Sequence, residues 1–138
     1  MEEKKKDEKL IYPDESYAIR GACMDVYKTL GNGFLEAVYQ ECLGIEFRRR
    51  GIPFAPQMPL TLTYQGQMLK QRYRPDFVCY DKIVVEIKAI SKLLGEHEAQ
   101  GMNYLKATGF QLCFLVNFGH YPLAEIIRIA NIEGYKKF

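Results

Sequence analysis

Tryptophan is absent from this chain, histidine occurs only as His97 and His120, and neither sign of charge dominates. Each shortage excludes something. With 19 Lys+Arg against 17 Asp+Glu, the protein does not hold nucleic acid by overall charge, and any such contact is expected at a local site. The four cysteines, Cys23, Cys42, Cys79 and Cys113, form no C-x-x-C pair and sit in apolar contexts. They read as reduced core residues of a cytoplasmic protein. With two histidines besides, a structural zinc site is not expected. Apolar runs such as Ile83-Val84-Val85 and Leu112 to Val116 fall far short of the ~20 residues of a membrane span. No apolar stretch follows the charged N-terminus, so no signal peptide is expected.

What is present is the composition of one globular domain: 138 residues, 48% hydrophobic and 26% charged, which excludes a disordered or collagen-like chain and a disulfide miniprotein. Met1 to Lys9 are nearly all Lys, Glu and Asp with cancelling charges, so residues 1–12 are expected as a solvated tail and 13–138 as a single domain. Asp14 is placed to cap a helix whose apolar positions Ala18, Ala22, Val26 and Leu30 recur every four residues, ended by Gly31-Asn32-Gly33. A second helix is expected from Leu35 to Arg50, stopped by Gly51 and Pro53. Alternation with period two then predicts a strand over Leu60 to Tyr64, a turn at Gln65-Gly66-Gln67 and a return strand over Met68 to Tyr73. Phe77 to Tyr80, the turn Asp81-Lys82, and Ile83 to Ala89 make a further pair. Glu96 to Thr108 is helical, and Leu112 to Val116 and Ala124 to Ala130 are strands. That order describes an α/β domain with a mixed central β-sheet flanked by helices.

The chemistry concentrates in Arg74-Pro75-Asp76-Phe77 and Val84-Val85-Glu86-Ile87-Lys88. Residues two apart on a strand share a face, so Glu86 and Lys88 project together while Val85 and Ile87 turn into core. An acid and a lysine in an apolar strand are costly unless something compensates them. Asp76 enters the preceding strand just behind a proline, so the hairpin brings it beside Glu86. Two carboxylates ~4 Å apart repel by about 4 kcal/mol at an effective dielectric of 20, and such a pair calls for a cation. Oxygen-only ligands suit magnesium. The spacing alone is weak: acid-x-Lys also occurs at Glu2/Lys4, Glu3/Lys5 and Asp7/Lys9, all in the charged tail. A turn-capping Asp76 with Glu86 and Lys88 paired on a solvated face satisfies the same spacing.

On the next helix Gln100 and Tyr104 share one face, with His97 three residues earlier at its rim. Glu36 opens the second helix in Gly33-Phe34-Leu35-Glu36-Ala37-Val38-Tyr39. The plain alternatives are a solvated helix face for the first group and a first-turn acid complementing the helix dipole for Glu36.

Together Pro75-Asp76, Glu86-x-Lys88 and Gln100-x-x-x-Tyr104 resemble the PD-(D/E)XK nuclease superfamily, and Gly33-x-x-Glu36-x-x-Tyr39 resembles its GxxExxY protein group. The resemblance covers roughly residues 14–130 and implies a restriction-endonuclease-like core. It implies that Asp76 and Glu86 bind a divalent metal, Mg²⁺ or Mn²⁺, with the Ile87 main-chain carbonyl and Glu36 joining them. It further implies that Lys88 orients or activates the attacking water. Gln100 and Tyr104 would contact the metal-site carboxylates or the nucleic-acid backbone. The function expected is hydrolysis of phosphodiester bonds, with DNA as the partner and a homodimer or second protein for targeting.

A non-catalytic nucleic-acid- or protein-binding module on the same fold is the second reading. A carboxylate-pair glycoside hydrolase is the third, and it leaves Lys88 without a role. Arg48-Arg49-Arg50 and Lys70, Arg72, Arg74 could line a phosphate track or be merely solvated.

Overall fold

The structure is a computed structural model and describes residues 11–131. Residues 1–10 of the expected tail lie outside the described residues. Ile11, inside the expected tail boundary, is fully buried in the core, so packing begins before residue 13.

Helix α1 (Pro13–Leu30) buries Ser16, Ile19, Ala22, Cys23 and Val26, a stripe at helical spacing. Asp14 does not cap it. Tyr12 is the capping position, and Pro13 starts the helix with its φ already set, which draws Asp14 into the first turn. There its charge and that of Glu15 complement the positive end of the helix dipole. Gly31, at φ 68°, ends the helix by donating its N–H to Tyr27 O at 2.7 Å. Helix α2 (Glu36–Arg49) buries Tyr39, Leu43, Gly44 and Phe47 against it.

Strands follow: β1 (Phe54–Pro56), β2 (Leu60–Tyr64), β3 (Gln67–Tyr73), β4 (Phe77–Cys79) and β5 (Ile83–Lys88). Helix α3 (Gly95–Thr108) then crosses to β6 (Leu112–Asn117), and β7 (Glu125–Ala130) closes the order. The central sheet runs β1-β4-β5-β6-β7, with β5 and β6 parallel and the other neighbours antiparallel. The parallel pair requires the α3 crossover. This is a mixed sheet with helices against it, the restriction-endonuclease-like arrangement expected.

Two further findings differ from the sequence reading. The strand β1 is too short and proline-flanked to show periodicity, yet Phe54 packs at 5.6 Å and 5.4 Å from the rings of Phe47 and Phe77. The hairpin β2–β3 is not in the central sheet at all but forms a separate two-stranded ribbon. Leu60, Leu62 and Tyr73 of the ribbon pack with Leu105, Met102 and Tyr104 of α3, which holds it beside the sheet.

The sheet separates two cores. Val85 and Ile87 lie on the α1/α2 side with Tyr39, Phe47, Phe77 and Phe114, while Val84, Cys113 and Leu115 lie on the α3 side. Among the described residues no helix is long and apolar enough to cross a membrane.

Candidate active site

The β4–β5 hairpin places the acids as its register dictates. Phe77 pairs with Val85, so Asp76, one residue before β4, arrives opposite Glu86. The Asp76 N–H donates to Glu86 Oε1 at 3.3 Å, and the Ile87 N–H donates to Asp76 Oδ2 at 2.7 Å. Asp76 thus takes, with its side chain, the edge of β5 that β4 no longer covers. Peptide groups on a strand alternate sides, and Lys88 O faces β6, where it accepts from Phe118 N at 2.9 Å. The Ile87 carbonyl therefore lies along the same open edge as its N–H, beside Asp76.

Glu86 is mostly buried, and burial is the main reason its carboxyl holds its proton well above the usual carboxylate range. The charge of Asp76 adds to this, while the Tyr73 hydroxyl, which donates to Glu86 Oε2, opposes it. Tyr73 is itself shifted upward by burial first and by Glu86 second, so its phenol stays a proton donor. Its ring stacks on Tyr104 at 3.9 Å with planes 7° apart. Sequence reasoning left Tyr73 as the last residue of a strand. The available signal was its place on the apolar face of β3, three residues before Asp76.

Lys88 is half-buried and forms no ion pair with Glu86 among the described residues, so the solvated Glu86–Lys88 pair is absent. Its charge acts instead on Glu36, whose pKa is raised by partial burial first and by Asp76 next, with Lys88 opposing both. Glu36 is presented by its own motif. Gly33 takes φ 111°, and the Tyr39 hydroxyl donates to Gly31 O while accepting the Phe34 N–H at 3.2 Å. That staples the loop between α1 and α2, with Tyr39 stacked on Phe118 at 4.7 Å. The spacing of Gly33, Glu36 and Tyr39 is thus a device for aiming the first residue of α2.

Glu36 stands in electrostatic reach of Asp76 without completing a cluster. Among the described residues no three His, Cys, Asp or Glu side chains gather closely enough to hold a metal ion. What the hairpin brings together is a carboxylate pair and a main-chain carbonyl, all oxygen atoms.

The α3 residues divide. Tyr104 reaches the acids through one intermediary, Tyr73. Gln100 is exposed and makes no hydrogen bond to Asp76, Glu86 or Lys88 among the described residues. The Nδ1 atom of His97 accepts the Leu94 N–H at 2.9 Å, which caps the start of α3. His97 thus has a local structural task at the expected rim.

A second polar cluster, unread in the sequence, holds the segment between Lys88 and α3. Asn117 is fully buried, and its Oδ1 accepts the N–H groups of Ile90 at 3.0 Å and Gly119 at 3.1 Å. Its Nδ2 donates to Glu125 Oε1 at 2.9 Å, which also accepts the Leu93 N–H. Gly119 is required there, because a Cβ would lie 2.3 Å from Ile90 O.

The sequence model of the PD-(D/E)XK nuclease superfamily matches residues 13–129, and the match spans Glu36, the acid pair, Lys88 and all of α3. The chain belongs to this superfamily. Membership at that level does not reach the narrower GxxExxY group. No curated protein matches the chain. A crystal structure described as that of SSO0001 is similar, with 18% sequence identity and a TM-score of 0.49, covering 69% of this chain and 54% of that one. This superfamily domain therefore spans about half the length of that solved chain.

Proposed function

We propose that this domain is a divalent-metal-dependent nuclease that hydrolyses phosphodiester bonds of DNA in the cytoplasm, and that it belongs to the GxxExxY group within its superfamily. One observation carries the reading. An Asp and a Glu share the open end of a buried hairpin, and the lysine beside them is not neutralised by Glu86. A structural ion pair would have consumed that lysine.

The residues fit a hard divalent cation. Asp76, Glu86 and the Ile87 carbonyl are oxygen donors, and Glu86 carries a penalty for its charge that the Tyr73 hydroxyl only partly relieves. With two carboxylates, and no third acid in the cluster among the described residues, most of the coordination shell is left to water and substrate oxygen, which suits Mg²⁺ or Mn²⁺. When bound, such an ion lowers the pKa of a coordinated water and neutralises charge on the scissile phosphate. Lys88 holds a water beside the acids and favours its deprotonated form. Glu36, with its raised pKa, is placed to accept that proton. Tyr73 fixes the Glu86 carboxylate, and Tyr104 fixes Tyr73.

The test is incubation of the purified chain with mixed DNA and RNA in Mg²⁺, in Mn²⁺ and in EDTA. Cleavage with metal and none in EDTA is expected, abolished in Asp76→Asn. Failure to cut with either metal, or undiminished cutting by Asp76→Asn, overturns the reading. A protein that binds nucleic acid without cutting it would be the non-catalytic module on this fold.

A further inference from the structure

The sequence contains two short cationic runs, and the structure treats them oppositely. Between Glu46 and Asp76 the chain carries Arg48, Arg49, Arg50, Lys70, Arg72 and Arg74 and not a single acid, although the whole chain is nearly neutral. The run at the end of α2 is largely compensated, by Glu46 of the same helix and by Asp25 of α1. Arg50 pairs with Asp25 and with Glu46, Arg49 reaches Glu46 at 3.8 Å, and Arg48 lies over the Phe54 ring at 5.6 Å. The run on the ribbon is not. Lys70, Arg72 and Arg74 are exposed and form no ion pair among the described residues. Arg72 makes contacts within the ribbon alone, donating to Leu69 O at 2.7 Å.

The ribbon is built to present them. Its apolar face, Leu60, Leu62 and Tyr73, is spent on α3, and Thr61, paired with Arg72, is exposed on the outer one. Its base is the acid site: Tyr73, between Arg72 and Arg74, donates to Glu86, and Arg74 is two residues from Asp76. From Arg74 to Lys70 an extended chain covers about 13 Å, with the Cα atoms of successive cationic residues about 6.6 Å apart. A row of uncompensated cations running outward from a carboxylate pair is complementary to one ligand class, a polyanionic chain whose phosphates must approach those carboxylates.

We propose that the β2–β3 ribbon is the nucleic-acid-binding arm of this domain, with Lys70, Arg72 and Arg74 taking backbone phosphates and leading the strand to Asp76 and Glu86 without reading sequence. The proposal rests on the nuclease reading for its purpose but not for its test, which is binding in the absence of metal.

Anisotropy of a labelled duplex about 20 base pairs long, titrated with the full chain in EDTA between about 50 and 200 mM KCl, gives the slope of log K against log[salt]. In the triple variant Lys70→Gln/Arg72→Gln/Arg74→Gln the slope falls by about 2.7 on duplex DNA and about 2.1 on a single strand. The charge-conserving Lys70→Arg/Arg72→Lys/Arg74→Lys keeps the parent slope, which separates lost charge from lost fold. Arg48→Gln/Arg49→Gln keeps it as well. An unchanged slope in the triple Gln variant, no binding by the parent chain, or a slope that tracks Arg48 and Arg49 overturns the arm. The two readings fail separately. Metal-dependent cutting with an unchanged slope removes the arm and leaves the nuclease, whereas a ribbon-dependent slope without cutting leaves the arm and removes the nuclease.

Discussion

Replacing Glu86 by Gln in metal-free protein tests the electrostatics of the site apart from its catalysis. Burial, with the Asp76 charge beside it, pushes the Glu86 carboxyl from 4.5 up to about 7. The folded chain therefore holds a proton over a range where the unfolded chain has released it. Stability falls as pH rises through that window and carries the whole cost above it. The shift corresponds to about 3 kcal/mol at pH 8, and for a chain of this length to about 10 °C in Tm.

Glu86→Gln keeps an acceptor for the Asp76 N–H and a partner for the Tyr73 hydroxyl while removing the charge. In EDTA its Tm is expected to exceed that of the parent at pH 8 by up to that amount, and by only about a quarter of it at pH 5. Thermal melts in EDTA across pH 5–8, read as the difference between the two proteins, cancel the histidines and the other acids. Millimolar Mg²⁺ or Mn²⁺ should raise the parent's Tm at pH 8 and leave the variant's nearly unmoved. A difference that does not change with pH, or a variant less stable than the parent at pH 8, would refute the argument.

Other variants separate the remaining roles. Asp76→Asn weakens metal binding and cleavage together, whereas Lys88→Met binds metal at least as tightly in a calorimetric titration and loses ~100-fold or more in cleavage rate. Normal cutting by Lys88→Met would make Lys88 a structural residue. Tyr73→Phe keeps the stack on Tyr104 but removes the hydroxyl that favours ionised Glu86, costing about 2 kcal/mol at pH 8 in EDTA and much less at pH 5. Equal losses at both pH values in denaturant titrations would assign Tyr73 to packing alone. Gln100→Ala slows cleavage without a change in Tm, since its side chain is exposed, and an unaltered rate returns it to a solvated helix face. Asn117→Ala strands the Ile90 and Gly119 N–H groups and lowers stability by about 3 kcal/mol in urea unfolding, an effect that should be absent if water replaces the amide.

What the sequence determined by itself is local. Periodicity located α1, α2, α3 and most strands within a residue or two, because each element buries one face and repeats its apolar residues accordingly. That Asp76 and Glu86 meet on one hairpin was also legible, but their exact pairing was not: the expected two-residue turn Asp81-Lys82 is a three-residue loop, Tyr80 to Lys82, and that one-residue difference sets Asp76 opposite Glu86.

Everything that depended on partners distant in the chain was decided only by the tertiary structure. Arg50 is neutralised by Asp25, 25 residues away, and the ribbon cations meet no such acid among the described residues, although both runs look alike in sequence. Tyr73 joins the site because α3 stacks Tyr104 on it. Where Glu36 stands is set by the loop that Tyr39 staples, through the Gly31 carbonyl and the Phe34 N–H. The ribbon leaves the central sheet because its apolar face found α3 while β4 paired with β1. Charge and burial are properties of neighbourhoods, and these neighbourhoods exist only once the helices have packed on the sheet.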